Sequence, residues 1–136
     1  MDSSILKLIS APQVRKIHAR VLFAGERRGE FENRLEAALG RIEQRIIYGI
    51  QFNDIFDVAG CYGAFISVAH AFVDGNKRTA FRTMDAFLSL HGLDLSFDAA
   101  PEDHILETLI ECADQGRADE IVLSTRLRSR FLLLQA

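Results

Sequence analysis

Residues 54–80 read DIFDVAGCYGAFISVAHAFVDGNKRTA, and the fold turns on them. From Ile55 to about Ala69 apolar side chains wrap most of a helix's circumference: Ile55, Phe56, Val58, Ala59, Tyr62, Phe65, Ile66, Val68 and Ala69. A helix apolar nearly all round belongs at the centre of a fold. Asn53 or Asp54 supplies its N-cap. Gly60 and Gly63 each cost a helix interior about 1 kcal/mol relative to Ala, a cost offset where a neighbouring helix must come close.

Outward from this centre, helical periodicity recurs on both sides. Ser10 with Gln13 forms a capping box, and Pro12 sits in the first turn of a helix running to about Phe23, with Val14, Ile17, Val21 and Leu22 on one side. Ala24–Glu30 carries two glycines and reads as a loop. A second helix spans about Phe31–Glu43, with Leu35, Ala38, Leu39 and Ile42 on its apolar face. Arg45–Asn53 is rich in β-favouring residues around Gly49 and predicts a short extended segment or hairpin.

After the loop at 70–75 a helix is expected over Asn76–His91, with Ala80, Phe81, Met84, Phe87 and Leu88 inward and Gly92 as its stop. Leu93–Phe97 reads as a short extended piece. Pro101 opens a helix ending near Gly116, and Asp119 caps a last one through about Leu134. The fold class is therefore all-α: one domain over residues 1–136, a compact bundle of about six helices.

Composition narrows the function. The chain has 136 residues, 49% hydrophobic and 26% charged, which is a globular balance. Its net charge of -3 does not point to general polyanion binding, so no nucleic-acid partner is expected. Cys61 and Cys112 lack metal-site spacing, read as small core residues, and suit a reducing cytoplasm. No apolar run reaches membrane-spanning length. His18, His91 and His104 read as surface or helix-end residues. Arg126, Arg128 and Arg130 read as a solvated face.

The stretch His70–Ala80 carries the chemistry. Gly75 and Asn76 precede a strongly periodic helix, where unpaired backbone N–H groups and the helix dipole favour an anion. Lys77 and Arg78 place cations at that same end, against the dipole; a bound polyphosphate removes the conflict. Asp74 is a hard oxygen ligand suited to Mg²⁺ beside phosphate. His70, alone, reads as a helix-end histidine; next to this loop it is placed to take a proton from a hydroxyl.

The order of these residues closely resembles the Fic/Doc signature HxFx(D/E)GN(G/K)R, in its death-on-curing (Doc) form, which has Lys where Fic enzymes have Gly. GEFENRLEAAL at 29–39 and FLSLHGLDL at 87–95 resemble the flanking segments, so the likeness covers about residues 11–97. The resemblance implies His70 as general base, Asp74 as the Mg²⁺ ligand, Gly75, Asn76 and Lys77 around the phosphates of ATP, and Arg78 both binding phosphate and stabilising charge in transfer. Phe72 would anchor the loop. Arg45–Asn53 would be the flap that docks the target.

The second Arg of AMP-transferring relatives is missing: Phe81 stands there, and Arg82 lies one residue, or about 100° of helix, further on. With Lys77, this favours the Doc pattern: a toxin transferring the γ-phosphoryl group of ATP to a protein hydroxyl, with translation elongation factor Tu as target. The chain also lacks the (S/T)xxxE(G/N) string of self-inhibited Fic enzymes, which implies a separate antitoxin chain. The alternatives are a Fic-type AMP transferase and a non-catalytic partner-binding module.

Overall fold

A computed structural model describes residues 5–48, 52–97 and 104–135. Among them are six helices: α1 (Ala11–Val21), α2 (Arg34–Ile47), α3 (Ile55–Ala69), α4 (Asn76–Leu90), α5 (Ile105–Gln115) and α6 (Glu120–Leu134). The described residues form no strand, only an isolated antiparallel bridge between Glu30 and Phe72. The all-α expectation holds.

α3 is the centre, as its apolar circumference requires. Phe56 and Val58–Ser67 are all buried, and α2, α4, α5 and α6 pack around it. α1 lies against α4 and α2. The glycines of α3 make this packing feasible. A Cβ on Gly60 would lie 2.7 Å from the Glu120 carbonyl oxygen and 3.1 Å from the Ser124 nitrogen, both α6 backbone. A Cβ on Gly63 would lie 2.8 Å from Met84 Sδ and 3.1 Å from Leu109 Cδ2. Cys61 and Cys112 are free and buried in this core, and burial pushes the Cys61 thiol up to about 12, which makes it a packing residue and no thiolate nucleophile.

Local signals set most helix ends. Ser10 and Gln13 form the capping box of α1, with Pro12 in its first turn. Asp54 caps α3 by accepting from the N–H of Phe56 and Asp57. Gly116 ends α5 in the left-handed conformation. Asp119 stands at the N-cap of α6 but makes no capping bond with its side chain.

Three expectations are corrected. Arg45–Ile47 is not extended: it is the last turn of α2, because the inward spacing of Leu35, Ala38, Leu39 and Ile42 continues to the partly buried Ile46. Residues 49–51 of the expected hairpin lie outside the described residues. Leu93–Phe97 forms no strand; its Leu95 is buried, and the Leu95 and Ser96 carbonyls accept from Arg130. Phe31 precedes α2 rather than opening it, since its N–H is spent on the Ala71 carbonyl, 2.7 Å away. The start expected at Pro101 lies outside the described residues, and α5 is seen from Ile105.

Nor is the arginine run of α6 a solvated face. Arg128 makes a bidentate pair with Asp54 and reaches Asp57. Arg126 donates to the His104 carbonyl at 2.9 Å, and Arg130 is buried on the 95–96 carbonyls. These side chains are staples between α6 and its neighbours.

Two outcomes follow from this packing. Gly60→Ala should lower stability by about 1–3 kcal/mol, since α6 backbone cannot yield as a flexible side chain can; urea unfolding measures it. At Asp54, burial pushes the carboxyl up, but the Arg128 pair and the two capping N–H groups outweigh it and hold it below the ordinary value. A depressed carboxyl stabilises the fold above its unfolded pKa, about 4, and that contribution is lost as pH falls through the lowered value. Asp54→Asn should therefore weaken the protein at neutral pH and flatten the acid limb of its stability curve.

Candidate functional site

The turn joining α3 to α4 has little regular structure, so other parts of the chain must satisfy its polar backbone. His70 ends α3 with φ 46°, ψ 46°, a left-handed conformation in which His is enriched among non-glycine residues. Gly75 takes φ 82° at the N-cap of α4, where a side chain would be strained. Between them the segment before α2 lies alongside like a short ribbon. Phe31 N–H donates to the Ala71 carbonyl, and Val73 N–H donates to the Gly29 carbonyl at 2.8 Å. Arg34 donates to the His70 carbonyl at 3.0 Å.

Asn76 is the clasp of the turn. Its Oδ1 accepts from Phe72 N–H at 2.9 Å and its Nδ2 donates to the Phe72 carbonyl at 2.7 Å. The side chain therefore does not cap α4; it closes the loop on itself. Phe72 is buried as the anchor, its ring stacked on His18.

His70 itself is exposed. Its Nε2 lies 3.1 Å from the Ala113 carbonyl near the end of α5. A carbonyl oxygen only accepts, so this bond puts the proton on Nε2 and leaves the Nδ1 lone pair as the basic position of the neutral ring. Asp74 is half-buried. Its Oδ2 accepts from Arg27 N–H at 2.7 Å, and among the described residues nothing bonds its Oδ1. One carboxylate oxygen is thus available, which fits a Mg²⁺ ion that takes a carboxylate plus phosphate oxygens and fits no all-protein cage.

Among the described residues the N–H groups of Gly75, Asn76, Lys77 and Arg78 have no backbone partner; Thr79 is the first to bond back, to the Gly75 carbonyl. Lys77 has no ion-pair partner among the described residues. Arg78 is placed differently. It donates to the Val21 carbonyl, pairs with Glu26 at 2.6 Å, and lies 3.9 Å from the centroid of the Phe23 ring. This pair, with Phe23 N–H, holds the Glu26 carboxyl below its usual range. Asp74, Gly75, Asn76 and Lys77 share one turn, while the Arg78 guanidinium binds the end of α1.

With this geometry in view, the Fic/DOC family pattern matches residues 8–88. The chain belongs to the Fic/Doc family. Over 79 residues it is 34% identical to Toxin Doc of Mycolicibacterium smegmatis (strain ATCC 700084 / mc(2)155), an alignment covering 57% of this chain and 60% of that protein. The matched region of this Fic/Doc chain takes in α1 to α3, α4 as far as residue 88, and every contact of the turn described above, apart from the Ala113 carbonyl on α5.

Residue patterns alone missed His18, Glu26, Arg27 and Arg34. His18 is buried, not a surface residue, and it follows Val14 by one helical turn on the inward face of α1. A polar residue on an inward face was the available signal. Glu26, Arg27 and Arg34 act through contacts distant in sequence, for which the chain offers no local mark.

If Asn76 closes the turn, Asn76→Ala leaves both Phe72 backbone groups unanswered, at about 1–3 kcal/mol. The Phe72 amide should then exchange with solvent about tenfold faster or more, while amides of α6 keep their protection; hydrogen exchange read by NMR distinguishes the two.

Proposed function

We propose that this Fic/Doc chain is a toxin that transfers the γ-phosphoryl group of ATP to a hydroxyl of a protein target, with translation elongation factor Tu as that target. A separate antitoxin chain would hold it in check, and the cytoplasm would be the site of action. The observation that carries the reading is the pairing of an exposed imidazole with a row of N–H groups that have no backbone partner among the described residues, all within residues 70–78. The name of the relative, a Doc toxin, supports the toxin part.

On this reading the N–H groups of Gly75, Asn76 and Lys77 receive phosphate oxygens, and the Lys77 ammonium adds charge beside them. Asp74 Oδ1 would hold Mg²⁺, which would supply positive charge to offset that of the phosphates. His70 Nδ1 takes the proton of the target hydroxyl as its oxygen bonds to the γ-phosphorus. The bond from that phosphorus to the β–γ bridging oxygen breaks, and ADP leaves. Ala113 keeps the ring's other nitrogen protonated, so the basic nitrogen is the one left free. Arg78 reaches phosphate only by leaving Glu26.

No helix among the described residues is long and apolar enough to cross a membrane. The decisive measurement uses ATP labelled at the γ or at the α position, with Mg²⁺ and elongation factor Tu. Label from γ alone, with a target mass gain of roughly 80 Da, is the expected result. Label from α, with a gain of roughly 329 Da, would mean AMP transfer; label from neither would count against both transfers to this target. His70→Ala should cut the transfer by about 10²–10⁴-fold with the fold intact.

A further inference from the structure

One side chain outside every motif touches three residues of the turn. His18, on α1, is 4% exposed. Its ring stacks on Phe72 with centroids 3.8 Å apart and planes 10° from parallel. Its Nε2 lies 2.8 Å from the Asp74 carbonyl oxygen. It also borders Gly75, where an added Cβ would lie 3.6 Å from His18 Cδ2. A carbonyl accepts only, so His18 carries its proton on Nε2 and donates it.

The direction of that bond has a consequence across the peptide. None of the described peptide bonds is cis, and in a trans peptide the C=O and the N–H point to opposite sides. The Asp74 carbonyl is drawn inward to His18. The N–H of Gly75, on the same peptide plane, therefore faces away from α1. It is the first of the unpartnered N–H groups at the start of α4. Were this peptide to flip, the carbonyl dipole would face the ligand and repel an anion.

We propose that His18 is a positioning residue for the anion-binding turn: its Nε2–H fixes the Asp74–Gly75 peptide so that the Gly75 N–H is presented to phosphate. This rests on the phosphate-binding reading above. The donor and the stack are separable functions of the ring. His18→Phe keeps the volume and the contact with Phe72 but removes the donor. His18→Gln gives up the stack but restores an N–H of similar reach.

The test is titration of the full chain with Mg²⁺–ATP, together with the chemical shift of the Gly75 amide in ¹⁵N-labelled protein. In His18→Phe the Kd for ATP should rise about tenfold, the worth of one hydrogen bond to a charged group, and the Gly75 amide signal should move. His18→Gln should recover both, although its unfolding midpoint falls with loss of the stack. Equal ATP affinity in wild type and His18→Phe would overturn the positioning role alone. So would affinity that tracks the unfolding midpoint across the variants, with no recovery in Gln. Failure of the wild-type chain to bind ATP would overturn the phosphate reading, and the proposal with it.

Discussion

The turn at residues 70–75 must satisfy its polar backbone without a sheet or helix of its own, and much of the structure is arranged around that constraint. The groups that are bonded are met by residues outside it. Ala71 and Val73 bond to the segment before α2, His70 to Arg34, Phe72 to Asn76, and Asp74 to His18. An unmet buried group costs about 1–3 kcal/mol, so these bonds together specify one conformation rather than an ensemble. The feature that matters for the proposed chemistry, the Asp74 carbonyl turned to His18 with the N–H groups at the start of α4 left without a backbone partner among the described residues, follows from where that acceptor is answered.

This explains why a turn between two helices of one hairpin needs the rest of the bundle. α3 and α4 alone fix where the turn begins and ends. The left-handed residues His70 and Gly75 reverse the chain, but neither holds a carbonyl. The inward side is built by α1 and residues 27–31, and His70 is held by α5 through the Ala113 carbonyl. α3 can be surrounded this way because Gly60 and Gly63 let α6 and α4 approach its backbone.

How much of this was legible in the sequence follows from the range of each interaction. The central helix, the capping box at Ser10 and the left-handed stop at Gly116 are local, and local pattern found them. The Arg45–Ile47 turn was missed because Ile46 continues the inward face of α2 while Ile47 stays exposed, a helical and not an alternating pattern; packing overrides propensity. The loop residues were legible as a set of chemical types, aided by the family likeness. Their partners were not: His18 lies 56 residues from Asp74, and Arg78 meets Glu26 across 52. Asn76 shows the limit most clearly. A residue at a helix start was readable as a cap, yet its side chain turns back to Phe72, a choice set by the shape of the turn.

Arg78 poses the remaining physical question, since one guanidinium is assigned to phosphate while it binds Glu26, the Val21 carbonyl and the face of Phe23. The two roles are compatible in energy. The Arg78–Glu26 pair is about one-third and one-quarter exposed on its two sides, and ion pairs open to water contribute little because solvent competes for both partners. On the proposed reading, a triphosphate brings several charges to an end of α4 that already presents unpartnered N–H groups and Lys77. Such a ligand competes well with one carboxylate. The exchange would also free Glu26 and with it the contact from Phe23 N–H that shapes the end of α1. α1 carries His18 and runs directly into residues 22–26, so the helix that positions the turn and the segment that occupies Arg78 are consecutive in the chain.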